Sequence, residues 1–370
     1  TSSIEAGFEA AFWDNRLCLD FTYYKTDSRN QILKLATTAA SGYTSQVRNA
    51  GHIRNRGYEI QLGAVPIQTS KGFRWNLDLN YGANSSKVVK LDDEGLITSY
   101  QLYSSGIQIL ASVGEAYGTL FGTSYVRDAN GNVVVDANGL PKISTTNKTL
   151  GKFTPDWTGG ISNTFSYRSL SLSFLIDASV GGSIFSNTNK TGKYTGVLAN
   201  TLSGRDAEHG GLWYYTAAMG NNVRLPESPS YSVSSDGLYY AQVNGQSTRV
   251  YQDGIMVEGV TESGSKNEEV VSAEKYYHRI YSIAEANVYD ASYVKLREVA
   301  LSYRLPRLWT QKLHLQEASV TLTGRNLWTI YKSVPNIDPE SALTTGNAQG
   351  VEAYSLPTTR SFGVNLSVKF

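Results

Sequence analysis

The sequence predicts an all-β fold of long antiparallel strands, and three observations support this prediction. The 370 residues include 34 Gly and 25 Tyr but only 2 Met and 1 Cys, a composition rich in strand and turn residues. Apolar and polar residues alternate strictly through residues 361–370, which is the period of a strand with two different faces. Hairpins with short turns recur along the chain. Such a chain should form a sheet that separates two environments.

The last strand is typical of a wall between lipid and water. It ends on Phe370, and bacterial outer-membrane barrels place an aromatic residue at this position. No run of about 18 or more apolar residues is present, so a transmembrane helix is excluded and a spanning structure must be a β-barrel. The mean hydropathy of −0.29 fits a transmembrane β-barrel, because only alternate strand residues would meet lipid.

Four hairpins and one terminal strand are predicted, roughly nine strands in all. The short turns of the hairpins are expected at residues 14–16, 69–72, 167–169 and 305–316. In the last hairpin, Leu296 and Val299 have opposite parity, which predicts a β-bulge near Arg297 and Glu298. In the third hairpin, Asn163 interrupts an otherwise apolar face without an evident reason.

Long connections alternate with the short turns. They are expected at residues 28–54, 85–155, 183–287 and 330–356, and they would lie on one rim of the barrel, the extracellular one. The connection 183–287 is far longer than an ordinary loop, so it should fold on itself and carry function.

Composition and motifs exclude several classes of function. The 33 Lys and Arg residues nearly balance 32 Asp and Glu residues, which leaves no basic stripe for nucleic acid. A single cysteine excludes an internal disulfide and a multi-cysteine zinc site. No nucleophile elbow, phosphate-binding loop or zinc-protease motif is present. The sequence therefore predicts no enzyme, no catalytic residue, no cofactor and no metal site.

Charged residues on the polar faces of the strands are the candidates for lining a water-filled lumen. They are Glu5, Glu9, Asp20, Arg74, Asp78, Asp177 and Arg325. Charged side chains spaced along one strand face are tolerated where that face meets water. Two roles stay open for them, namely contact with a transported solute and ion pairing within the protein.

Two sets of aromatic residues are further candidates. The first set lies in the connection 183–287 and comprises Trp213, Tyr214, Tyr215, Tyr276 and Tyr277. These rings could stack on sugar rings or a peptide, contact a partner protein, or pack in the core of the loop itself. The second set would face lipid or form the aromatic girdle at the membrane boundary, and it comprises Trp75, Tyr81, Tyr303, Phe362 and Phe370.

Several stretches of the chain resemble one family, the SusC-like TonB-dependent transporters of Bacteroidetes outer membranes. The main ones are NAGHIRNRGYEIQL (49–62), DASYVKLREVALSYRLP (290–306), TGRNLWTIY (323–331) and PTTRSFGVNLSVKF (357–370). Weaker matches lie at residues 204–206 and 254–267. Together they run along nearly the whole chain, which therefore resembles the C-terminal part of such a transporter.

The resemblance implies a barrel of about 22 strands, of which residues 1–370 would supply the last nine or so. Residues 183–287 would be a large extracellular loop region, and the plug domain and N-terminal strands would lie outside this chain. The implied partners are a SusD-like surface lipoprotein, TonB energised by ExbB and ExbD, and the N-terminal remainder of the barrel. The resemblance also implies that two such two-protein units associate to form a dimer.

The implied activity is TonB-dependent import of an oligosaccharide or oligopeptide across the outer membrane, with no role for nucleic acid. Two alternatives stay open. One is a TonB-dependent receptor for a siderophore or cobalamin. The other is a secreted β-sandwich adhesin, which would be soluble without detergent, although the long apolar face from Leu170 to Val180 speaks against it.

Overall fold

The computed structural model describes residues 1–36, 45–92, 94–312 and 314–370. It consists of one nine-stranded antiparallel sheet and three smaller sheets that are carried by the connections between its strands. The predicted all-β, antiparallel fold with about nine main strands is confirmed. In the ranges that the structure describes, none of the helices is long and apolar enough to cross a membrane.

The first half of the chain supplies six strands of the large sheet and a four-stranded sheet. In chain order the strands are β1 (Ser2–Phe12), β2 (Leu17–Ala36), β3 (Ser45–Gln68), β4 (Phe73–Lys90), β5 (Ser99–Ser104), β6 (Gln108–Ser112), β7 (Tyr117–Gly122), β8 (Lys148–Lys152), β9 (Trp157–Tyr167) and β10 (Leu170–Val180). Strands β5 to β8 form the four-stranded sheet, which lies within the connection between β4 and β9.

The connection after β10 holds a six-stranded sheet and two helices. Its elements are β11 (Ser183–Ser186), α1 (Asn187–Thr195), β12 (Leu212–Thr216), β13 (Asn222–Arg224), β14 (Tyr231–Val233), β15 (Tyr239–Val243), β16 (Gln246–Met256), β17 (Val270–Ser272), α2 (Ala273–Tyr281) and β18 (Val288–Asp290). The segment 183–287 thus folds on itself, as its length predicted.

The last part of the chain completes the large sheet. Its elements are β19 (Tyr293–Arg304), α3 (Arg307–Lys312), β20 (Glu317–Lys332), β21 (Val351–Glu352) and β22 (Ser361–Lys369). The order across the large sheet is β1-β2-β3-β4-β9-β10-β19-β20-β22. Strands β1 and β22 are its two edges, and within the described residues they do not pair with each other, so the sheet is open.

Every neighbouring pair in the large sheet is antiparallel, and this decides where the connections lie. The four short turns, at residues 13–16, 69–72, 168–169 and 305–316, all lie on one rim of the sheet. The long connections 91–156, 181–292 and 333–360 all lie on the other rim. This is the asymmetry that the sequence predicted.

The register separates an apolar face from a polar face. One row of paired residues across eight strands is Phe8, Phe21, Ile60, Tyr81, Gly159, Ala178, Val294 and Tyr331. The adjacent row on the opposite face is Glu9, Asp20, Gln61, Asn80, Gly160, Asp177, Lys295 and Thr329. The predicted bulge is confirmed, since Leu175 pairs with Glu298 and Ile176 with Leu296, which leaves Arg297 as the extra residue.

Asn163 on the apolar face has a local partner. It pairs across the sheet with Leu77 and Phe174, and only 7% of its surface is exposed. The indole Nε1 of Trp75 donates a hydrogen bond to Asn163 Oδ1 at 3.0 Å. The polar residue that interrupts the apolar pattern therefore satisfies the one polar group of the neighbouring indole.

The predicted polar connection at residues 28–54 is wrong, because most of it is strand. Strand β2 continues to Ala36 and β3 begins at Ser45, with residues 37–44 outside the described residues. Cross-strand polar contacts replace apolar ones here: Asp27 accepts a hydrogen bond from Arg54 at 2.8 Å and lies 2.5 Å from His52 Nε2. Backbone pairing continues although residues 27–31 (DSRNQ) are all polar, so the alternation that signals a strand disappears.

Several further boundaries differ from the sequence predictions. The predicted connection at 85–155 begins at residue 91, because β4 runs to Lys90. The predicted turn at 305–316 contains the short helix α3. The predicted connection at 330–356 begins later, because β20 runs to Lys332, and it contributes β21 to a three-stranded sheet with β11 and β18. Strand β21 runs parallel to β11, so two connections that are distant in sequence are joined by backbone hydrogen bonds.

One hydrophobic core unites all three long connections. Ile109 and Leu120 come from the connection 91–156, Phe185 from 181–292, and Val351 from 333–360. None of these four side chains has measurable exposure. The connections therefore form one packed body on their rim of the sheet, because each of them supplies part of the same core.

Candidate functional site

The seven charged residues predicted for a lumen all lie on the polar face of the large sheet. Glu9 pairs directly with Asp20, and Asp177 continues the same row. Arg74 and Asp78 lie on this face of β4, Glu5 on that of β1, and Arg325 on that of β20. Their role in lining a lumen stays a prediction.

Partners differ among these seven residues. Arg325 forms an ion pair of 2.8 Å with Glu298, and Arg74 donates to Asn76 Oδ1 at 2.7 Å. Asp177 forms an ion pair with Arg297. Among the described residues, Glu5, Glu9 and Asp20 take part in no ion pair, whereas Asp27 farther along β2 is paired with His52 and Arg54. The part of the face around Glu5, Glu9 and Asp20 is therefore acidic and available to a solute or to further protein.

An ionic cluster around the buried Lys295 joins the polar face to the connection 333–360, and the sequence analysis missed it. The cluster consists of Asp177, Lys295, Arg297, Asp338 and Glu340. Lys295 Nζ lies 2.6 Å from Asp338 and 2.5 Å from Glu340, and Arg297 contacts both Asp177, at 2.6 Å, and Glu340. Lys295 is 3% exposed. We call these five residues the Lys295 cluster.

The β-bulge explains why Arg297 belongs to this cluster. As the extra residue of β19, Arg297 shares the polar face with Lys295 two positions earlier, whereas Leu296 between them stays on the apolar face. Asp338 also accepts a hydrogen bond from Thr358 Oγ1 at 2.5 Å. Both ends of the connection 333–360 are thereby tied to the wall.

The pKa values of the two loop carboxyls are both lowered. Burial alone would raise the pKa of Asp338, but hydrogen bonds from Lys295 and Thr358 outweigh it and lower that pKa to about 2. Burial likewise opposes the lowered pKa of Glu340, which results from its hydrogen bonds with Arg297 and Lys295. Both carboxyls therefore favour the ionised form in the folded structure.

We expect acid to loosen the connection 333–360. A carboxyl with a lowered pKa stabilises the folded form above its ordinary pKa of about 4, and this contribution is lost as the pH falls through the folded value of about 2. Hydrogen exchange measured by mass spectrometry should show reduced protection of residues 333–360 as the pH falls across this range. Residues 157–167 of β9 contain no carboxylate and do not belong to the core that includes Val351, so they serve as the control; an equal loss there would mean general unfolding.

The five aromatic candidates of the connection 181–292 lie in small cores of that connection. Trp213 and Tyr214 are each 4% exposed and Tyr277 is 9% exposed, while Tyr215 and Tyr276 are half-buried. The Tyr214 hydroxyl donates to Asp253 at 3.0 Å, and the Tyr277 hydroxyl donates to the Asn200 carbonyl at 3.1 Å. This burial supports packing within the loop, one of the three roles left open, and contact with a ligand or lipoprotein stays a prediction.

Two exposed aromatic residues accompany the buried ones. Tyr231 is 50% exposed and Tyr239 is 39% exposed, and both rings lie against Trp213, with centroid distances of 4.9 and 5.4 Å. Trp213 therefore supports a surface formed by other rings. Sequence alone could have flagged these tyrosines only by their place in the same Tyr-rich segment.

A cleft of about 610 Å³ adjoins this aromatic surface. It is lined by residues 205–208, by 237–239 and by 249–253 of β16. Arg249 lies over the ring of Tyr251 at 4.8 Å, and Arg205 is held by the carbonyl of Gly196 at 2.5 Å. Asp206, Glu208 and Asp253 bring negative charge to the same walls. The cleft thus combines fixed guanidinium groups, carboxylates and aromatic rings.

Four of the five predicted girdle residues lie on the apolar face, and the fifth, Phe370, directly follows β22. Trp75, Tyr81, Tyr303 and Phe362 occupy apolar rows of the register, and Trp75 stacks on Phe165 with a centroid distance of 5.6 Å. Phe362 is 80% exposed and Phe370 is 84% exposed. Their position at a membrane boundary stays a prediction. Over the described ranges, no group of three or more His, Cys, Asp or Glu side chains is arranged to hold a metal ion.

Comparison with known proteins identifies relatives over the full length of the chain. No protein-family model matches it. TonB-dependent receptor P3 of Formosa agariphila is 26% identical over 399 residues, and the match covers 100% of this chain and 34% of the relative. TonB-dependent receptor P26 of the same organism is 24% identical with the same coverage. The homologues of this chain are TonB-dependent receptors.

The fold agrees with this relationship. The solved RagAB peptide transporter matches 100% of this chain and 35% of its own, with a TM-score of 0.60 and 18% identity. The RagAB peptide importer in its closed-closed state matches with a TM-score of 0.62. The resemblance to SusC-like TonB-dependent transporters and the outer-membrane location are both confirmed. The chain spans about a third of the length of the TonB-dependent receptors it matches, and these relatives are receptors rather than enzymes.

Proposed function

We propose that this chain is part of the barrel of a SusC-like TonB-dependent importer that takes up a nutrient across the outer membrane. The observation that carries the proposal is the nine-stranded antiparallel sheet with one apolar and one polar face, matched along its whole length by TonB-dependent receptors. Residues 183–287 act in this proposal as a large extracellular loop region, while a plug domain and further strands come from outside residues 1–370. No catalytic step is involved.

The proposed partners follow from the importer function. A SusD-like lipoprotein covers the body formed by the three long connections, and TonB, energised by ExbB and ExbD, acts through the plug. The shared core of the connections supports this arrangement, because a cap needs a rigid surface to close on. Two such two-protein units would form the dimer.

The proposed solute is an oligopeptide. Fixed arginines and carboxylates line the same cleft in the loop region, and a peptide carries both signs of charge, whereas a neutral glycan carries neither. The similarity in fold to a peptide transporter agrees with this choice. An oligosaccharide is the second candidate, favoured by the exposed rings of Tyr231 and Tyr239, since aromatic faces stack on sugar rings.

Import can be measured with the full-length protein in its own bacterium. We expect deletion of its gene to abolish growth on a defined peptide mixture, and removal of TonB to abolish uptake while leaving surface binding intact. A strain restored with the intact gene is the control. If the deletion abolished growth on an oligosaccharide but not on peptides, the solute would be an oligosaccharide instead. If the deletion abolished uptake of an iron chelate or cobalamin, the protein would belong to the other class of TonB-dependent receptor. A protein that is soluble without detergent would contradict import altogether.

A further inference from the structure

The rim that carries the four short turns is strongly basic. Its five cations are Arg16, Lys71, Arg168, Arg307 and Lys312, and its one acid is Asp14. The rim therefore carries a net charge of +4, so the other residues together carry −3 in a chain whose net charge is +1. The charge is nearly balanced over the whole chain, but positive charge is concentrated on the rim that carries the short turns. We call these turns and their five cations the basic rim.

The five cations are free to meet a ligand. All of them are exposed. Among the described residues of the rim, Arg304 and Glu317 form an ion pair at the strand ends, and none of the five cations takes part in an ion pair. Arg16 donates to the carbonyl of Val65 at 2.9 Å, and Arg168 lies 5.1 Å from the ring of Tyr167, contacts that position the guanidinium groups without neutralising them.

The turns form a continuous border. The amide of Arg168 donates to the Gly72 carbonyl at 3.3 Å, and the amide of Arg304 donates to the Ser169 carbonyl at 2.8 Å. The amide of Gln316 donates to the Lys369 carbonyl at 2.8 Å. Neighbouring turns therefore lie side by side along the rim, which places their cations close together along one border of the sheet.

Exposed apolar side chains lie among the cations. Trp13 and Leu308 are each 73% exposed, and Trp309 is 59% exposed. Leu308 and Trp309 belong to α3, between the cations Arg307 and Lys312. The apolar face of the sheet reaches this rim at Tyr303, which is 42% exposed. Tryptophan beside Lys and Arg at the end of an apolar surface is the arrangement found at the boundary between acyl chains and headgroups.

We propose that the basic rim binds the anionic headgroups of phospholipids in the membrane leaflet that it borders. This inference rests on the proposed function, which places the short turns on the periplasmic side. Trp13, Leu308 and Trp309 enter the interface between headgroups and acyl chains. The five cations contact the lipid phosphates, which lie nearer to the water. Each cation near an anionic surface adds attraction, and the exposed aromatic residues fix the depth of the rim in the bilayer.

Lipid selectivity tests the proposal directly. The full-length protein is reconstituted in vesicles that contain spin-labelled phosphatidylglycerol or phosphatidylcholine, and the lipid immobilised on the protein is measured for each. We expect a preference for phosphatidylglycerol of about threefold to fivefold, because each immobilised lipid would meet about one cation, whose attraction of about 1 kcal/mol corresponds to roughly fivefold. The preference should disappear at about 1 M salt, where the screening length falls to roughly 3 Å.

Matched charge variants locate the effect. The combined substitution Lys71→Gln, Arg307→Gln and Lys312→Gln removes three rim cations and should bring the preference below about twofold. The control substitution Arg224→Gln, Lys266→Gln and Lys275→Gln removes three exposed cations from the connection 181–292 and should leave the preference unchanged. Equal selectivity in wild type and rim variant would overturn the proposal. The proposal would also be overturned if the rim variant lost binding to isolated peptidoglycan while its lipid preference stayed unchanged.

The depth of α3 provides a second measurement. With other cysteines removed from the full-length protein, a bimane label at Trp309→Cys should be quenched by lipids that carry a spin label near the headgroup. Quenching by an aqueous reagent alone would show that α3 does not contact lipid and would contradict the inference. A protein that immobilises no lipid of either kind would instead contradict the membrane-spanning function on which the inference rests.

Discussion

Replacing Lys295 by Met is expected to release the connection 333–360 from the wall of the sheet. Lys295 is 3% exposed, and its ammonium group contacts Asp338 and Glu340 at 2.6 and 2.5 Å. Methionine fills a similar volume without charge, so three carboxylates of the cluster remain with one cation, Arg297. Arg297 contacts Asp177 and Glu340, which leaves Asp338 without its cation. Removing one partner of a buried ion pair typically costs about 3–5 kcal/mol, because the remaining charge stays desolvated.

The measurement is hydrogen exchange or limited proteolysis of residues 333–360 in the purified full-length protein. The control is Lys142→Met, which breaks an ion pair of 2.7 Å with Glu262. That pair is exposed, so its loss should cost about 1 kcal/mol or less. Equal protection of residues 333–360 in wild type and Lys295→Met would show that the cluster does not hold the connection.

Replacing Glu352 by Ala is expected to unfold helix α1. The Glu352 side chain has no measurable exposure and accepts hydrogen bonds from the hydroxyls of Ser186 and Thr188, both at 2.6 Å. The backbone amides of Thr188 and Ser355 donate to the same carboxyl at 3.4 and 3.2 Å. Alanine would leave these donors buried without an acceptor, which we expect to cost about 2–4 kcal/mol.

Helix α1 depends on this contact because its own sequence favours a helix weakly. Its nine residues include three Thr and one Gly, residues with low helix propensity. The expected result is faster hydrogen exchange throughout residues 187–195. Glu262→Ala, which removes an exposed carboxylate, is the control and should leave that segment unchanged. Retained protection in Glu352→Ala would mean that packing against α2 alone maintains the helix.

Both predictions concern the attachment of the long connections to one another and to the sheet. Glu352 joins the connection 333–360 to α1, and the Lys295 cluster joins the same connection to β19 and β10. With the common core around Phe185 and Val351, these contacts make the three connections one body. Helix α1 in turn contacts the cleft, because Arg205 donates a hydrogen bond to the carbonyl of Gly196 at the end of the helix.

The strands of the large sheet could be predicted because the two environments of each strand produce an alternation of apolar and polar residues in the sequence. Phe8, Ile60 and Leu172 alternate with polar residues, since each strand has one apolar and one polar face. The bulge at Arg297 was also predictable, because an extra residue reverses that parity. The short turns and the asymmetry of the two rims follow from the same alternation.

Elements outside the two-faced part of the sheet could not be predicted in the same way. Beyond Tyr24 the alternation of β2 is lost, because residues 27–31 are all polar and the apolar Ile32 is 75% exposed, so this end of the sheet is held mainly by backbone pairing between β2 and β3. Helix α1 has no apolar periodicity of its own and depends on Glu352, which lies 164 residues away from Thr188. The Lys295 cluster combines residues from β10, β19 and the connection 333–360, and spacing along the chain cannot indicate such a contact.

The sequence by itself determined that this protein forms an antiparallel wall with one apolar and one polar face, because alternation with a period of two is a local property of each strand. It also determined which rim carries the short turns and their excess of positive charge. Only the tertiary structure decided that Trp213 is buried, that Lys295 is neutralised by Asp338 and Glu340, and that three connections share one core. The physical reason is that burial and ion pairing depend on contacts between segments far apart in the chain, which local patterns do not encode.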